Sequence, residues 1–121
     1  MTEAWVQSVV RLEASRKGLK LWRNNVGAML DARGVPVRFG LANDSKGLNE
    51  EIKSGDLIGW RPIIITPKYV GLKIAQFVSR ECKMPSWKYS GNEHERAQLR
   101  WIEAIIADGG DAAFCSGEGS L

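Results

Sequence analysis

The sequence is poor in transition-metal ligands. Two cysteines, Cys82 and Cys115, and one histidine, His94, have no spacing that builds a zinc cage. It also has no apolar run approaching the ~18 residues of a membrane span, and its first residues, Met-Thr-Glu-Ala-Trp, lack the basic and apolar regions of a signal peptide. The expectation is a reduced, cytoplasmic protein with no membrane partner. There is no internal repeat and no low-complexity tract beyond a short Ser/Gly tail after Cys115. What is present is a 44% hydrophobic composition with five tryptophans over 121 residues, enough for an ordinary packed interior. A chain of this length is expected to form one domain, 1–121.

Charge is close to balanced, with 17 Lys and Arg against 14 Asp and Glu, but its placement is uneven. Residues 1–38 carry seven basic and three acidic groups, 39–60 two and four, 61–88 six and one, and 89–121 two and six. Basic stretches alternating with acidic ones allow a phosphate-facing surface, and equally the solvated faces of any soluble protein.

Residues 3–17 read as an amphipathic helix, with Thr2 as N-cap and Trp5, Val6, Val9, Val10 and Leu12 on one side. Residues 19–25 read as a strand, with 35–39 as its hairpin partner after the Arg33-Gly34 turn. Residues 40–55 have no clear period and read as a long loop. Residues 56–60 and 63–66 are short apolar runs separated by Pro62, which implies a bend. Residues 72–83 read as the longest strand, on which alternation puts Glu81 and Lys83 on one face and Cys82 on the other. Asn92 followed by Glu95 resembles a capping box opening a helix to about residue 108, and 112–115 reads as a last strand. The fold class expected is α/β, a central mixed sheet flanked by helices.

Hydrolysis of a phosphodiester needs charge neutralised on the phosphate and a water made nucleophilic at neutral pH, and a hard divalent cation does both. Such a cation takes oxygen ligands, commonly one or two carboxylates. Ser54-Gly55-Asp56 offers an acid at the start of one strand, and Glu81-Cys82-Lys83 an acid and a lysine at the end of another. If these strands are antiparallel neighbours, Asp56, Glu81 and the backbone carbonyl of Cys82 can share a metal. Lys83 then orients the attacking water or stabilises charge on the phosphate. Gln98 shares a helix face with Trp101, Ile102 and Ile105, so a polar amide points to the core side and needs partners.

An acid-led strand, a Glu-x-Lys strand end and a helix with an inward glutamine resemble the PD-(D/E)xK restriction-endonuclease-like superfamily. Within it the chain is similar to the virus-type replication-repair nuclease (VRR-NUC) domain. The likeness extends to Glu3 and Gln7 in the first helix and to the Arg-Asn-Asn-x-Gly segment from Arg23 to Gly27. Ser54-Gly55 before the acid and the long 40–55 loop depart from the pattern. The resemblance implies a restriction-endonuclease-like core and a Mg²⁺- or Mn²⁺-dependent homodimer cutting branched DNA, Holliday junctions included. It implies Glu3 as an additional ligand, with Glu13 a rival, and Gln98 as an active-site residue.

Each of these residues has a simpler reading beside the functional one. Asp56 after glycine is a turn residue, Glu3 suits the helix macrodipole, and Glu81 with Lys83 suits any exposed strand end. Trp87, Lys88 and Tyr89 suit either a DNA-facing surface or packing. Arg23, Asn24, Lys46, Lys53 and Lys88 are candidates for phosphate contact. The competing functional class is a binding module that holds nucleic acid without cutting it, and the competing substrates are flaps or single-strand ends.

Overall fold

Thr2 opens the first helix. In the computed structural model, which describes residues 2–121, its hydroxyl accepts the Trp5 amide at 3.1 Å and caps α1 (Glu3–Arg16). Gly18, at φ 76°, closes the helix, with its own amide bonded to the Ser15 carbonyl and that of Leu19 to Ala14. This is the paired closure for which glycine is favoured. Backbone contacts divide the chain into two compact units, one ending at Arg61 and one starting at Pro62.

In the first unit α1 is followed by β1 (Lys20–Arg23), β2 (Gly27–Leu30), β3 (Pro36–Phe39), α2 (Lys46–Glu51) and β4 (Leu57–Trp60). The strand expected at 19–25 is present as β1, but its partner is β4 and not the 35–39 segment. β1 and β4 run antiparallel with Lys20 opposite Trp60 and Arg23 opposite Leu57. The Trp22 and Trp60 rings pack at 5.0 Å. A Cβ at Gly59 would fall on the Lys20 carbonyl, so this crossing admits only glycine.

β3 pairs instead with β2, a short strand not expected from the sequence. The turn explains the choice. Asp31 Oδ1 accepts the amides of Arg33 at 2.8 Å and Val35 at 2.9 Å, and Gly34 sits at φ 79°. A reversal that tight joins its immediate neighbours, Leu30 opposite Pro36, and leaves no role for a strand several residues earlier. The hydrogen bonds to Asp31 hold its carboxyl below the usual range, the Val35 amide foremost. The segment expected as a loop contains α2, capped by the Ser45 hydroxyl on the Leu48 amide at 3.1 Å. A helix of six residues is too short to display a period.

The second unit contains a 3-10 turn at Pro67–Tyr69, then β5 (Val78–Cys82), α3 (Glu93–Ala107) and β6 (Asp111–Cys115). β5 and β6 are parallel, with Val78 opposite Asp111 and Cys82 opposite Cys115, so β5, α3 and β6 form a crossover unit. β5 is shorter than the strand expected over 72–83. Its partner has five residues, and the segment before it has no ladder to join. Residues 63–66, beyond Pro62, form no strand.

Ile102, Ile105 and Ala112 are buried where α3 packs on β6. A Cβ at Gly110 would collide with the Ile105 side chain, which fixes how tightly the chain turns from helix to strand. The protein is thus a mixed α/β chain. Its described strands hydrogen-bond as three pairs, two antiparallel and one parallel. Among the described residues no helix is long and apolar enough to cross a membrane.

Candidate functional site

At the end of β5 alternation directs Ser79, Glu81 and Lys83 to one side, the side on which α3 runs. Ser79 Oγ accepts the indole N–H of Trp101 at 3.1 Å, and Lys83 Nζ donates to Gln98 Oε1 at 2.8 Å. Positions 98 and 101 are one helical turn apart, so a single face of α3 meets two positions of the strand. Arg80, on the opposite face, is engaged elsewhere, with Nη2 donating to both Asp111 carboxylate oxygens at 3.0 Å.

The Lys83 side chain is only 15% exposed. Its ammonium stands 5.5 Å from the Trp87 ring centroid and 5.7 Å from that of Phe114, within cation–π range of both. Glu81 Oε1 lies 4.0 Å away at the limit of an ion pair, on a carboxylate that is 40% exposed. The site is therefore a positive charge fixed over aromatic faces by one amide oxygen, with a carboxylate beside it open to solvent. A fixed ammonium of this kind can donate to an anion without first having to be ordered.

Glu95 builds the wall that carries Trp87. It is 4% exposed and accepts from Trp87 Nε1 at 2.8 Å, the Ser90 amide at 2.9 Å, the Ser90 hydroxyl at 2.6 Å and the Gly91 amide at 3.1 Å. The Ser90 hydroxyl is the main cause of a carboxyl pKa drawn down from 4.5 to about 2, against the opposing effect of burial. The Asn92–Glu95 spacing marked the cap, and Asn92 Oδ1 does accept the Glu95 amide at 2.8 Å. That spacing carried no sign that the Glu95 side chain ties down the 87–91 loop. Phe114 was not singled out either. Its place follows from the parallel register, which sets it opposite Glu81.

Cys82 points away from Lys83, as alternation requires. It is exposed and does not pack in a core. Its Sγ lies 3.5 Å from Cys115 Sγ, and that thiol is the main cause of a raised Cys82 pKa.

In the first unit Asp56 stands just ahead of β4, exposed, and its carboxylate makes no hydrogen bond or ion pair among the described residues. The segment before it is pinned by Asn24, whose Nδ2 donates to Ser54 Oγ at 2.7 Å and to the Gly55 carbonyl at 2.9 Å. The Asn24 amide donates to the Asp56 carbonyl at 2.8 Å, prolonging the β1–β4 ladder by one step. The carboxamide of Asn24, a candidate for phosphate contact, is thus engaged in holding this turn. Glu3 is exposed in the first turn of α1, and Gln7 is half-buried one turn on.

Of the residues singled out from sequence, Glu81, Lys83 and Gln98 come together in the second unit, and Asp56 and Glu3 belong to the first. The strand that Asp56 leads pairs with β1, and the strand that ends in Glu81 and Cys82 pairs with β6, so the antiparallel pairing of the two supposed from sequence is replaced by these. Among the described residues no group of three or more His, Cys, Asp or Glu side chains is set to hold a metal ion. The carboxylates of Asp56 and Glu81 are the hard oxygen donors that suit Mg²⁺ or Mn²⁺. No protein family matches the chain, and no curated protein or solved structure does.

Proposed function

We propose that the protein is a metal-dependent endodeoxyribonuclease of the PD-(D/E)xK type, similar to the VRR-NUC domain, acting on branched DNA such as Holliday junctions. The observation that supports this reading best is Lys83, held by Gln98 and flanked by Glu81 at the end of β5. The motif supplies a lysine and a carboxylate, and the inward glutamine supplies the contact that orients the lysine. On this reading the strands belong to a restriction-endonuclease-like core with a central mixed sheet.

Glu81 and the Cys82 carbonyl are proposed as metal ligands in the second unit, and Asp56 and Glu3 as metal ligands in the first. The cation, Mg²⁺ or Mn²⁺, would supply Lewis acidity toward the phosphate and lower the pKa of a bound water. Lys83 donates a hydrogen bond to the attacking water or to a phosphate oxygen as negative charge develops there. Gln98 is a positioning residue, since it holds the ammonium in place. The chain is proposed to act as a homodimer, because a two-fold pair of sites matches the symmetry of a four-way junction. A monomer by light scattering at working concentration contradicts that part.

The test is cleavage of a four-way junction, a flap and a linear duplex, side by side, with Mg²⁺ or Mn²⁺ and again with chelator. Metal-dependent cutting that is strongest on the junction supports the reading. Binding without cutting under every condition overturns it in favour of a module that holds nucleic acid.

A further inference from the structure

The first unit contains a cavity of about 310 Å³ whose walls include Gly27, Arg38, Asn43, Asn49, Lys53 and Ser54. Two cationic side chains line it, and among the described residues no carboxylate does. Among the described residues both cations are hydrogen-bonded to neutral oxygens only. Lys53 Nζ donates to the Asn49 carbonyl at 3.0 Å and to its Oδ1 at 2.7 Å. Arg38 Nε donates to the Asn43 carbonyl at 3.0 Å, and Nη2 donates to Asn43 Oδ1 at 2.6 Å. Among the described residues neither forms an ion pair with a carboxylate.

The Arg38 guanidinium is held by a built support. Asn43 is 2% exposed, and its Nδ2 donates to the Gly27 and Phe39 carbonyls, both at 2.8 Å. Every polar group of that buried side chain is thereby used, half in fastening it to the β2–β3 hairpin and half in gripping the arginine. Ala42, just before it, has φ 55°, a left-handed backbone that a Cβ disfavours and that persists only where the surroundings impose it. A guanidinium gripped through Nε and Nη2 keeps the N–H groups of Nη1 for another partner, and an ammonium with two bonds keeps a third donor. A fork of donors beside a point charge, neither paired with a carboxylate among the described residues, fits a tetrahedral oxyanion.

We propose that this cavity binds a phosphate group. This rests on the nuclease reading only for its source, which is then a backbone phosphodiester of DNA. Ser54 in the wall is two residues before Asp56, on the segment that Asn24 pins.

The experiment is an NMR titration of the ¹⁵N-labelled chain in chelator, so that no cleavage takes part. Inorganic phosphate and a short DNA duplex are the two probes. Phosphate is expected to shift Gly27, the Asn43 carboxamide and Arg38 Nε. Lys53→Gln and Arg38→Gln are each expected to weaken that binding about tenfold, the loss of one charge-assisted hydrogen bond. If Arg38→Gln fails to fold, Lys53→Gln decides alone, because Lys53 is exposed beyond the end of α2.

Displacement of phosphate by the duplex identifies DNA as the source. Shifts by phosphate without displacement identify a free phosphate compound and leave the site in place. Absence of shifts with both probes, or shifts undiminished in Lys53→Gln, overturns the proposal. A chain that binds phosphate here and cleaves nothing keeps this site and loses the nuclease reading; a chain that cleaves and binds no phosphate here does the reverse.

Discussion

Gln98→Leu replaces the one amide oxygen bonded to the Lys83 ammonium with an apolar group of similar size. At 15% exposure Lys83 has little access to water in compensation. Among the described residues its other partners are Glu81 at 4.0 Å and two aromatic faces beyond 5 Å. A hydrogen bond to a charged group contributes about 1.5–3 kcal/mol. The single substitution is therefore expected to cost about 2 kcal/mol, which at a urea m-value of about 2 kcal/mol/M moves the midpoint by about 1 M. Lys83→Met removes the charge and strands the amide instead. The double variant removes both partners, so the cycle should return a coupling of about 1.5–3 kcal/mol between positions 83 and 98. Unfolding is followed by tryptophan fluorescence and circular dichroism, with agreement between the two probes as the check on two-state behaviour. Additivity within about 0.5 kcal/mol would show that the two side chains do not interact, and the reasoning about the site would fail.

Three further outcomes are expected. Gly59→Ala should lower stability by about 2–4 kcal/mol in urea unfolding, because its Cβ would meet the Lys20 carbonyl across the β1–β4 ladder; a neutral effect contradicts that register. Glu95 has a folded-state pKa of about 2, below its ordinary 4.5, so its stabilising contribution is complete above pH 4.5 and is lost as pH falls toward 2. Amide protection of Ser90 and Gly91, read by hydrogen exchange, should fall over that window, and a flat profile counts against the Glu95 network. Thr2→Ala should cost about 1 kcal/mol by removing the cap on α1, seen as a small loss in urea midpoint; no loss counts against the cap.

The elements that were legible in the sequence are those with local punctuation. Thr2 and Gly18 bracket α1, and Asn92 and the glycine pair at 109–110 bracket α3, so both helices were found with ends correct to a residue or two. Strand partners were less accessible, because pairing depends on where each turn closes. Asp31 makes the hairpin tight and local, and this assigns β3 to β2, leaving β1 to β4. β5 was read too long because alternation of Leu72 to Lys83 continues past the point where β6 can pair.

The residues of the candidate site follow the same division. That Glu81, Lys83 and Gln98 stand together was legible because strand alternation and helix spacing are short-range rules. Glu95 and Phe114 were missed because their roles depend on a loop folding back and on a parallel register set by α3. The support that Asn43 gives Arg38 was also invisible, since Asn43 lies in a segment without period.

The most direct test of the central claim is single-turnover cleavage of a labelled four-way junction with Mn²⁺, comparing the unmodified chain with Lys83→Ala. Junction binding measured in Ca²⁺ serves as the control for a folded, binding-competent protein. The account predicts retained binding with a cleavage rate about 100-fold or more lower in Lys83→Ala. Equal cleavage by the two proteins would contradict it.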